Sequence, residues 1–328
     1  MSSRQSELVQ LLAPVADGMR RMRELVLLQV GDGSPAVRDM VEHVGRFQGK
    51  QLRGALVMLS GDATSNSTDE HSAIAAVVEM IHLATLVHDD VLDGAEVRRR
   101  VACVNQRWDN QTAVLLGDFL YARAFALSTD LSSRMCSRTL AEATRRICVG
   151  EIEQATSRYD FEMSQERYEW IAGAKTATLY AAACELGARY PGGHEELGAR
   201  MRQFGWELGL AFQIVDDCLD LTATQQEVGK SVGTDVADGK VTLPVLWAYR
   251  RADDATRARI RDIYTREGEL DRVAELRRAC RLAEGVEYAR QRAEALIHSA
   301  LGRVRTLAPS PARSSLEQIA SFVLERSW

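Results

Sequence analysis

Two groups of aspartates in this sequence have the spacing of a site for divalent cations. Each group reads Asp-Asp-x-x-Asp, and the residues are Asp89, Asp90, Asp93 and Asp216, Asp217, Asp220. Residues four apart on a helix lie on one face, with about 5–6 Å between their Cβ atoms, so the carboxylates of one group can reach the same space. Mg²⁺ takes oxygen ligands at about 2.0–2.1 Å and is commonly held by carboxylates together with substrate phosphates. The spacing therefore predicts two magnesium-binding motifs.

The alternative is that each motif is a solvated acidic face of a helix, which one isolated motif would favour. Both motifs, however, follow strongly apolar stretches, IHLATLVHDD and LGLAFQIVDD, where a solvated face is not expected. Like charges grouped in such surroundings repel each other unless cations are shared between them. The pair of motifs therefore favours the metal-site interpretation.

The segments that must position these aspartates have helical periodicity. Stripes at every fourth position lead into both motifs, and they are Val77, Ile81, Thr85, Asp89, Asp93 within 73–93 and Gly205, Gly209, Gln213, Asp217 within 201–221. Residues 36–190 contain no proline, and no segment alternates apolar and polar residues as a strand does. The sequence predicts an all-α fold with a single domain over residues 1–328, short loops at 61–72 and 191–193, and one long glycine-bearing loop over 222–240.

Composition and charge narrow the function classes. The formal net charge of −5 argues against a protein that binds nucleic acid through bulk positive charge. The N-terminal segment lacks the features of a secretory signal, and the apolar run 73–87 is too short to cross a bilayer, which predicts no transmembrane segment. The six cysteines have no metal-binding or redox spacing. We therefore expect a cytoplasmic location.

Basic residues recur in short contexts along the chain, and they could bind the oxygens of a phosphate that the metal ions hold. They are Lys50, Arg53, Arg98, Arg99, Lys175, Lys230 and Lys240. Each alone is more typical of a surface charge than of a ligand, but Arg98 and Arg99 are stronger candidates because they follow the first motif closely. His82 lies seven residues before Asp89 on the same helix face, although a lone histidine there is more typical of a packed core than of a ligand.

The sequence resembles the trans-isoprenyl diphosphate synthases, specifically the bacterial polyprenyl diphosphate synthases. The resemblance runs nearly end to end, through GKQLRG, EMIHLATLVHDDVLDGAEVRRR, LLGDFLYARAF, GEIEQ, KTATLYAAACELGA, FQIVDDCLD and GKSVGTDVADGKVTLP. It implies an isoprenoid-synthase-type bundle of helices around a deep central cavity, usually as a homodimer. It also implies head-to-tail condensation of an allylic diphosphate with isopentenyl diphosphate.

The same resemblance implies roles for individual residues. Asp89 and Asp93 would bind two Mg²⁺ ions with support from Asp90, and Asp216 would hold a third with support from Asp217 and Asp220. The allylic diphosphate would be contacted by Arg98, Lys175, Thr176, Gln213, Lys230 and Lys240. Isopentenyl diphosphate would be held by Lys50, Arg53, His82 and Arg99. The chain departs from the family at Gly54 and Ala102, where proline is common, and at Arg100 and Asp109, where glycine is common.

Product length is predicted from the residues beneath the first motif. Ala84 and Thr85 lie about one turn below Asp89 and are small, whereas aromatic residues there are typical of short-chain farnesyl-type enzymes. Gly205 and Gly209 could open the opposite wall or could serve close helix packing. We therefore expect a product longer than farnesyl, with Met80 and Phe125 as candidate floor residues of the cavity.

Several other functions compete with this interpretation. A geranylgeranyl or farnesyl diphosphate synthase shares its motifs, whereas a terpene cyclase lacks the second motif in this form. A non-catalytic subunit of a heteromeric synthase would typically have lost aspartates, and all six are present. A generic two-metal hydrolase would leave the KT and GKxxGxD segments unexplained.

Overall fold

The protein is α-helical through most of the chain that the structure describes. The computed structural model describes residues 10–31, 34–45, 49–98, 101–222, 233–266, 268 and 271–325. After a 3₁₀ turn at Ala13–Val15 the first helices are α1 (Ala16–Gly31), α2 (Pro35–Gly45), α3 (Leu52–Ala63), α4 (His71–Leu92), α5 (Val104–Arg107), α6 (Asn110–Thr129), α7 (Met135–Thr156) and α8 (Gln165–Ala172). A π-helical turn, Gly173–Ala177, joins α8 to α9 (Thr178–Arg189).

The C-terminal half continues in the same way. Its helices are α10 (Glu195–Thr222), α11 (Thr234–Ala237), α12 (Leu243–Arg250), α13 (Asp254–Thr265), α14 (Arg272–Ala279), α15 (Leu282–Val304) and α16 (Pro311–Leu324). The prediction of an all-α fold is confirmed. The expected absence of strands is wrong at one place, because β1 (Val97–Arg98) and β2 (Val101–Ala102) pair antiparallel. Strands of two residues are too short for their alternation to show in a sequence.

The chain divides into two compact units. The first comprises residues 1–144, 179–205 and 301–319, and the second comprises residues 145–178, 206–300 and 320–328. The first acidic motif belongs to the first unit and the second motif to the second unit. A single domain over 1–328, and a deep central cavity, stay predictions.

Helix α4 is a core element of the first unit, where it packs against α1, α3 and α6. Most of its apolar side chains are buried, including Ile74, Val77 and Ile81. By length and composition α4 could cross a membrane, but 61% of its most apolar window is buried inside the protein. That burial is what a core helix of a globular unit requires, since its apolar surface is removed from water by neighbouring helices.

Two loop predictions need adjustment. Helix α3 continues to Ala63 and α4 begins at His71, so the predicted loop at 61–72 is shorter than expected. Within the long loop predicted for 222–240, residues 233–240 are described and contain α11, while residues 223–232 lie outside the described part.

Candidate active site

The first acidic motif lies at the C-terminal end of α4, and the local sequence explains why the helix stops there. Asp93 is the C-cap, and Gly94 follows with a positive φ of 60°. The amide of Gly94 donates to the carbonyl of Val91 (3.3 Å) and that of Ala95 to the carbonyl of Asp90 (2.9 Å). This is the Schellman termination that glycine favours, because it lacks the Cβ that penalises left-handed backbone. The helix therefore ends on the motif.

The three aspartates of this motif differ in burial. Asp90 is buried, Asp89 is half-buried and Asp93 is exposed. Arg98 on β1 donates two hydrogen bonds to Oδ1 of Asp90, from Nε at 2.8 Å and from an Nη at 2.7 Å. Asn105 Nδ2 donates to the main-chain carbonyls of Asp90 and Ala95, each at 3.2 Å. Asp90 thus ties the motif to the hairpin, which leaves Asp89 and Asp93 as the more accessible carboxylates.

Arg98 therefore lies beside the first motif, as the sequence predicted, but in this structure its guanidinium is paired with Asp90. Its predicted contact with the allylic diphosphate stays a prediction. Arg99 and Arg100, which follow it, lie outside the described residues, and so does Lys230.

The residues predicted to hold isopentenyl diphosphate lie at the start of α3 and in the middle of α4. Lys50 is exposed just before α3, Arg53 is half-buried in its first turn, and His82 is half-buried on α4. The carbon Cζ of Arg53 lies 4.4 Å from the centroid of the Tyr180 ring. Lys50, Arg53 and His82 belong to the first unit, and so does Tyr180.

Two of the family departures have a structural explanation in the first unit. The amide of Gly54 donates to Oε1 of Glu79 at 2.7 Å, a bond that the proline common at this position has no proton to make. Asp109 is the N-cap of α6, and its Oδ1 accepts from the amide of Thr112 at 2.6 Å. An N-cap carboxylate satisfies an otherwise unpaired donor of the first helical turn.

Ala102 is a further departure, and its carbonyl lies 2.7 Å from Nε2 of His43. Arg107 donates from an Nη to Nδ1 of the same ring at 2.8 Å. Since Nδ1 then accepts, the proton of the neutral imidazole lies on Nε2 and is donated to Ala102. This contact anchors β2 to α2.

The residues predicted to control product length lie on α4 and α6, which pack together. Met80 and Ala84 are fully buried, and Thr85 is half-buried with its hydroxyl donated to the carbonyl of His82 (2.7 Å). Phe125 on α6 is half-buried and stacks on Tyr121, with ring centroids 6.4 Å apart. Their role as cavity wall and floor stays a prediction.

Gly205 serves close helix packing. A Cβ at this position would collide with the carbonyl oxygen of Tyr180 and would lie 2.8 Å from Cα of Ala181. Of the two roles that the sequence left open for Gly205, the structure supports this one. Gly209 is buried on the same helix.

The second acidic motif is organised around Asp217, which is buried on α10. Tyr168 on α8 donates its hydroxyl to Oδ2 of Asp217 at 2.5 Å, and Gln213 donates from Nε2 to Oδ1 at 2.7 Å. Thr176 completes the chain by donating its hydroxyl to Oε1 of Gln213 at 2.6 Å. Thr176 and Gln213, both predicted substrate contacts, are thus joined to the motif by one hydrogen-bond chain that orients the Gln213 amide.

Burial raises the pKa of Asp217 to about 6, because the carboxylate is removed from water. The hydrogen bonds from Tyr168 and Gln213 oppose that rise, while the charges of Asp216 and Asp220 add to it. Burial and the nearby Asp217 charge raise the pKa of the Tyr168 phenol well above its usual value. The phenol therefore keeps its proton and acts as a donor.

Asp220 has a supporting position in the same motif. Its Oδ2 accepts from the amide of Asp235 at 3.0 Å, and its Oδ1 accepts from the amide and hydroxyl of Thr234 at 3.3 and 3.2 Å. Asp220 thereby holds the first turn of α11. Asp216 is half-buried one residue before Asp217, and its role as a metal ligand stays a prediction.

The two described lysines of this unit lie in ion pairs. Lys175, in the π-helical turn, has Nζ 2.9 Å from Oε1 of Glu151 and 3.2 Å from Oε1 of Gln154. Lys240 has Nζ 3.1 Å from Oδ2 of Asp238 and 3.8 Å from Oδ1 of Asp235. Lys175 therefore lies in a short π-helical segment, a feature that is frequent at functional sites.

A cavity of about 80 Å³ lies between these groups in the second unit. The polar residues that line it include Lys175, Gln213, Asp217, Asp235 and Lys240. The apolar residues that line it include Ile171, Ala172 and Val241. The structure thus brings five of the sequence-predicted residues of this unit to one place, since Thr176 is bonded directly to Gln213.

The donor chemistry of both motifs fits a hard divalent cation. Within the described residues no group of three or more His, Cys, Asp or Glu side chains is close enough to hold a metal ion unaided. Mg²⁺ does not need such a cage, because it keeps several waters and takes one or two carboxylates plus substrate phosphates. Half-buried Asp89 and Asp216 and exposed Asp93 provide that kind of ligand, and the buried Oδ2 of Asp90 has no hydrogen-bond partner in the described chain.

Sequence reasoning missed several residues that hold this site together. Tyr168, Glu151 and Gln154 were assigned no role, although the last two lie in the quoted segment GEIEQ. Asp235, in GTDVADGK, contacts both Asp220 and Lys240. The sequence signal for Glu151, Gln154 and Asp235 was their place in segments quoted for the family resemblance. Tyr168 lies in no such segment, and nothing in the sequence pairs it with Asp217.

Comparison with known proteins agrees with the geometry. The sequence model of the family described as polyprenyl synthetase matches residues 34–281. Heptaprenyl diphosphate synthase component 2 of Bacillus subtilis is 33% identical, covering 90% of this chain and 84% of that protein. Octaprenyl diphosphate synthase of Haemophilus influenzae is 32% identical and covers 94% of each chain. A polyprenyl synthase of Caulobacter crescentus, solved with calcium and isoprenyl diphosphate, superposes with a TM-score of 0.90 at 32% identity over 97% of each chain.

Proposed function

The chain belongs to the polyprenyl synthetase family and is therefore a trans-prenyltransferase, and we propose that it makes an all-trans polyprenyl diphosphate longer than farnesyl. The two substrates are an allylic diphosphate and isopentenyl diphosphate, joined head to tail. The observation that supports this function best is the pair of intact aspartate motifs, each at the end of an apolar helical stretch and each held by its own hydrogen-bond network.

The chemistry begins with loss of diphosphate from the allylic substrate. Family members require divalent cations, and Mg²⁺ held by Asp89, Asp93 and Asp216 would supply Lewis acidity that neutralises charge on the leaving oxygen. Asp90, Asp217 and Asp220 position their neighbours through Arg98, Tyr168 and α11. The allylic cation is then attacked by the double bond of isopentenyl diphosphate, so no protein nucleophile is needed.

The basic residues hold the two diphosphates so that the reacting carbons meet. Lys175, Lys240, Arg98 and Lys230 act on the allylic diphosphate together with the Thr176–Gln213 pair. Lys50, Arg53, His82 and Arg99 act on isopentenyl diphosphate. Fixing both substrates converts an encounter into an effectively unimolecular step. The departing diphosphate is the base that takes the final proton.

The length of the product follows from small side chains beneath the first motif. Ala84 and Thr85 leave room for a growing chain, whereas bulky residues there would stop it early. Relatives named as heptaprenyl and octaprenyl synthases support a long product. Met80 and Phe125 are the proposed floor residues.

We also propose that the protein forms a homodimer and is located in the cytoplasm. Leu27 and Leu28 on α1 are 63% and 68% exposed, and Val114 and Leu115 on α6 are 41% and 59% exposed. The two helices are neighbours, since Arg123 on α6 donates to the carbonyl of Gln29 on α1 at 2.7 Å. A second copy would remove these apolar side chains from water.

A second candidate is that the chain is one component of a two-chain synthase. The Bacillus subtilis relative is named as component 2 of a heptaprenyl diphosphate synthase. Activity of the purified chain without any partner separates the candidates, because a dependent component makes no long product alone.

The test incubates purified protein with farnesyl diphosphate, labelled isopentenyl diphosphate and Mg²⁺, and sizes the product by chromatography. We expect a labelled polyprenyl diphosphate longer than farnesyl. Asp89→Ala should lower turnover by orders of magnitude with an unchanged melting temperature, whereas Asp130→Ala, at an exposed aspartate that caps α6, should leave turnover unchanged. An active, magnesium-independent Asp89→Ala enzyme would overturn the assignment.

A further inference from the structure

The guanidinium of Arg53 has a different kind of partner from three of the basic residues assigned to the allylic diphosphate. Arg98, Lys175 and Lys240 each contact a carboxylate. Arg53 instead lies over the ring of Tyr180, with Cζ 4.4 Å from the ring centroid. Its buried Nε has no hydrogen-bond acceptor among the residues that the structure describes. The contact that holds this cation is therefore an aromatic face.

An aromatic face and a carboxylate hold a cation with different consequences. A carboxylate neutralises the cation, and an incoming phosphate must displace it. The quadrupole of a tyrosine ring attracts a guanidinium within about 6 Å of the centroid without cancelling its charge. Arg53 is thus already held in one place by a group that a diphosphate need not displace, which lowers the ordering cost when the diphosphate binds.

The backbone that carries the Tyr180 ring lies in closely packed helices. Helix α9 lies against α3 so tightly that a Cβ at Gly187 would collide with the carbonyl oxygen of Val57. Seven residues earlier on α9, Tyr180 meets Arg53, which precedes Val57 by one turn of α3. On the other side, a Cβ at Gly205 of α10 would collide with the carbonyl of Tyr180. The backbone that carries the ring is therefore packed on both sides.

We propose that Tyr180 is a positioning residue, which holds the Arg53 guanidinium in place for the diphosphate of isopentenyl diphosphate. The proposal rests on the function assigned above to Arg53. Tyr180 is 2% exposed and acts through Arg53, not by contact with reacting atoms. The feature that matters is the face of the ring and not the hydroxyl.

The test measures the KM of each substrate and kcat for Tyr180→Leu, Tyr180→Met and Tyr180→Phe. The Leu and Met variants should raise the KM of isopentenyl diphosphate roughly fivefold to thirtyfold, the change that corresponds to about 1–2 kcal/mol of cation–π attraction. The KM of the allylic diphosphate should stay within twofold. Tyr180→Phe keeps the ring face and should restore the wild-type KM.

Pairing with Arg53→Ala distinguishes positioning from general damage. In that background Tyr180→Leu should add nothing to the KM of isopentenyl diphosphate, because the group that it positions is absent. A full additional increase would overturn the proposal, and so would an increase shared equally by both substrates. Tyr180→Met, closer in length to tyrosine, gives the same readout if the Leu variant folds poorly.

The assignment of Arg53 is tested separately by Arg53→Ala alone. If that variant raises the KM of isopentenyl diphosphate but Tyr180→Leu and Tyr180→Met do not, the positioning role is wrong and the function of Arg53 stands. If Arg53→Ala leaves this KM unchanged, the assignment of Arg53 fails and the role of Tyr180 fails with it.

Discussion

Arg98 donates two hydrogen bonds to a single oxygen of Asp90, at 2.8 and 2.7 Å, and so joins the first acidic motif to the hairpin that follows it. The Asp90 side chain is 1% exposed and that of Arg98 is 29% exposed. Because the carboxylate is buried, the guanidinium of Arg98 compensates it in place of water. The pair is a structural requirement of the site whatever Arg98 does with a substrate.

Removing Arg98 should therefore destabilise the first unit. We expect Arg98→Ala to lower the free energy of unfolding by about 3 kcal/mol, the lower end of the range for breaking a buried pair, since Arg98 is partly exposed. The measurement is urea unfolding without Mg²⁺. The double variant Arg98→Ala with Asp90→Asn should recover part of the loss, because no uncompensated charge then remains. A double variant less stable than Arg98→Ala would contradict this account.

The hydroxyl of Tyr168 should matter for both stability and turnover. Tyr168→Phe leaves one oxygen of the buried Asp217 carboxylate without its donor, which should cost about 1.5–3 kcal/mol of unfolding free energy. Turnover should fall as well, because Asp217 orients Gln213. Tyr288→Phe is the matched control, since the Tyr288 hydroxyl donates at 2.6 Å to the neutral Oε1 of Gln165. The control should cost only about 0.5–1.5 kcal/mol and spare turnover. Equal losses of turnover would refute the special role of Tyr168.

The Glu169–Arg292 pair should make stability depend on pH. Burial alone raises the pKa of Glu169, but the hydrogen bonds from Arg292 and Gln165 outweigh it, so the pKa lies below the ordinary value of 4.5. A carboxylate with a lowered folded-state pKa stabilises the protein above its unfolded pKa and loses that contribution as the pH falls through the folded pKa. The free-energy difference between wild type and Glu169→Gln should thus be largest near neutral pH and shrink below pH 4.5. A difference that grew on acidification would have the wrong sign.

Bulk at position 84 should shorten the product. Ala84 is fully buried on α4, about one turn below Asp89, so a phenylalanine there would project into the space proposed for the growing chain. Ala84→Phe should give shorter prenyl diphosphates by chromatography, and the smaller change Ala84→Leu an intermediate length. Ala122→Phe, at an exposed position of α6, should leave product length unchanged. If the Ala84→Phe enzyme turned over and made the wild-type product, this model of the cavity would fail.

Much of the fold followed from periodicity and composition. The apolar residues of 73–93 recur at helical spacing, and α4 indeed occupies His71–Leu92. Gly94 follows the last aspartate of the first motif and ends that helix, as its freedom to adopt positive φ allows. The two aspartate motifs could be recognised in the sequence because residues four apart on one helix are neighbours by geometry alone. The lysines and the family could be recognised from the short segments that contain them.

Contacts between distant segments were decided only by the tertiary structure. Tyr168 and Asp217 are 49 residues apart, and Arg53 and Tyr180 lie on helices more than one hundred residues apart, so no local pattern pairs them. The burial of each side chain could not be predicted from the sequence either, since one motif contains a buried Asp90 and an exposed Asp93. Spacing along a helix determines which side chains can share a face, but the packing of neighbouring helices determines which of them lose water and which partner compensates for it.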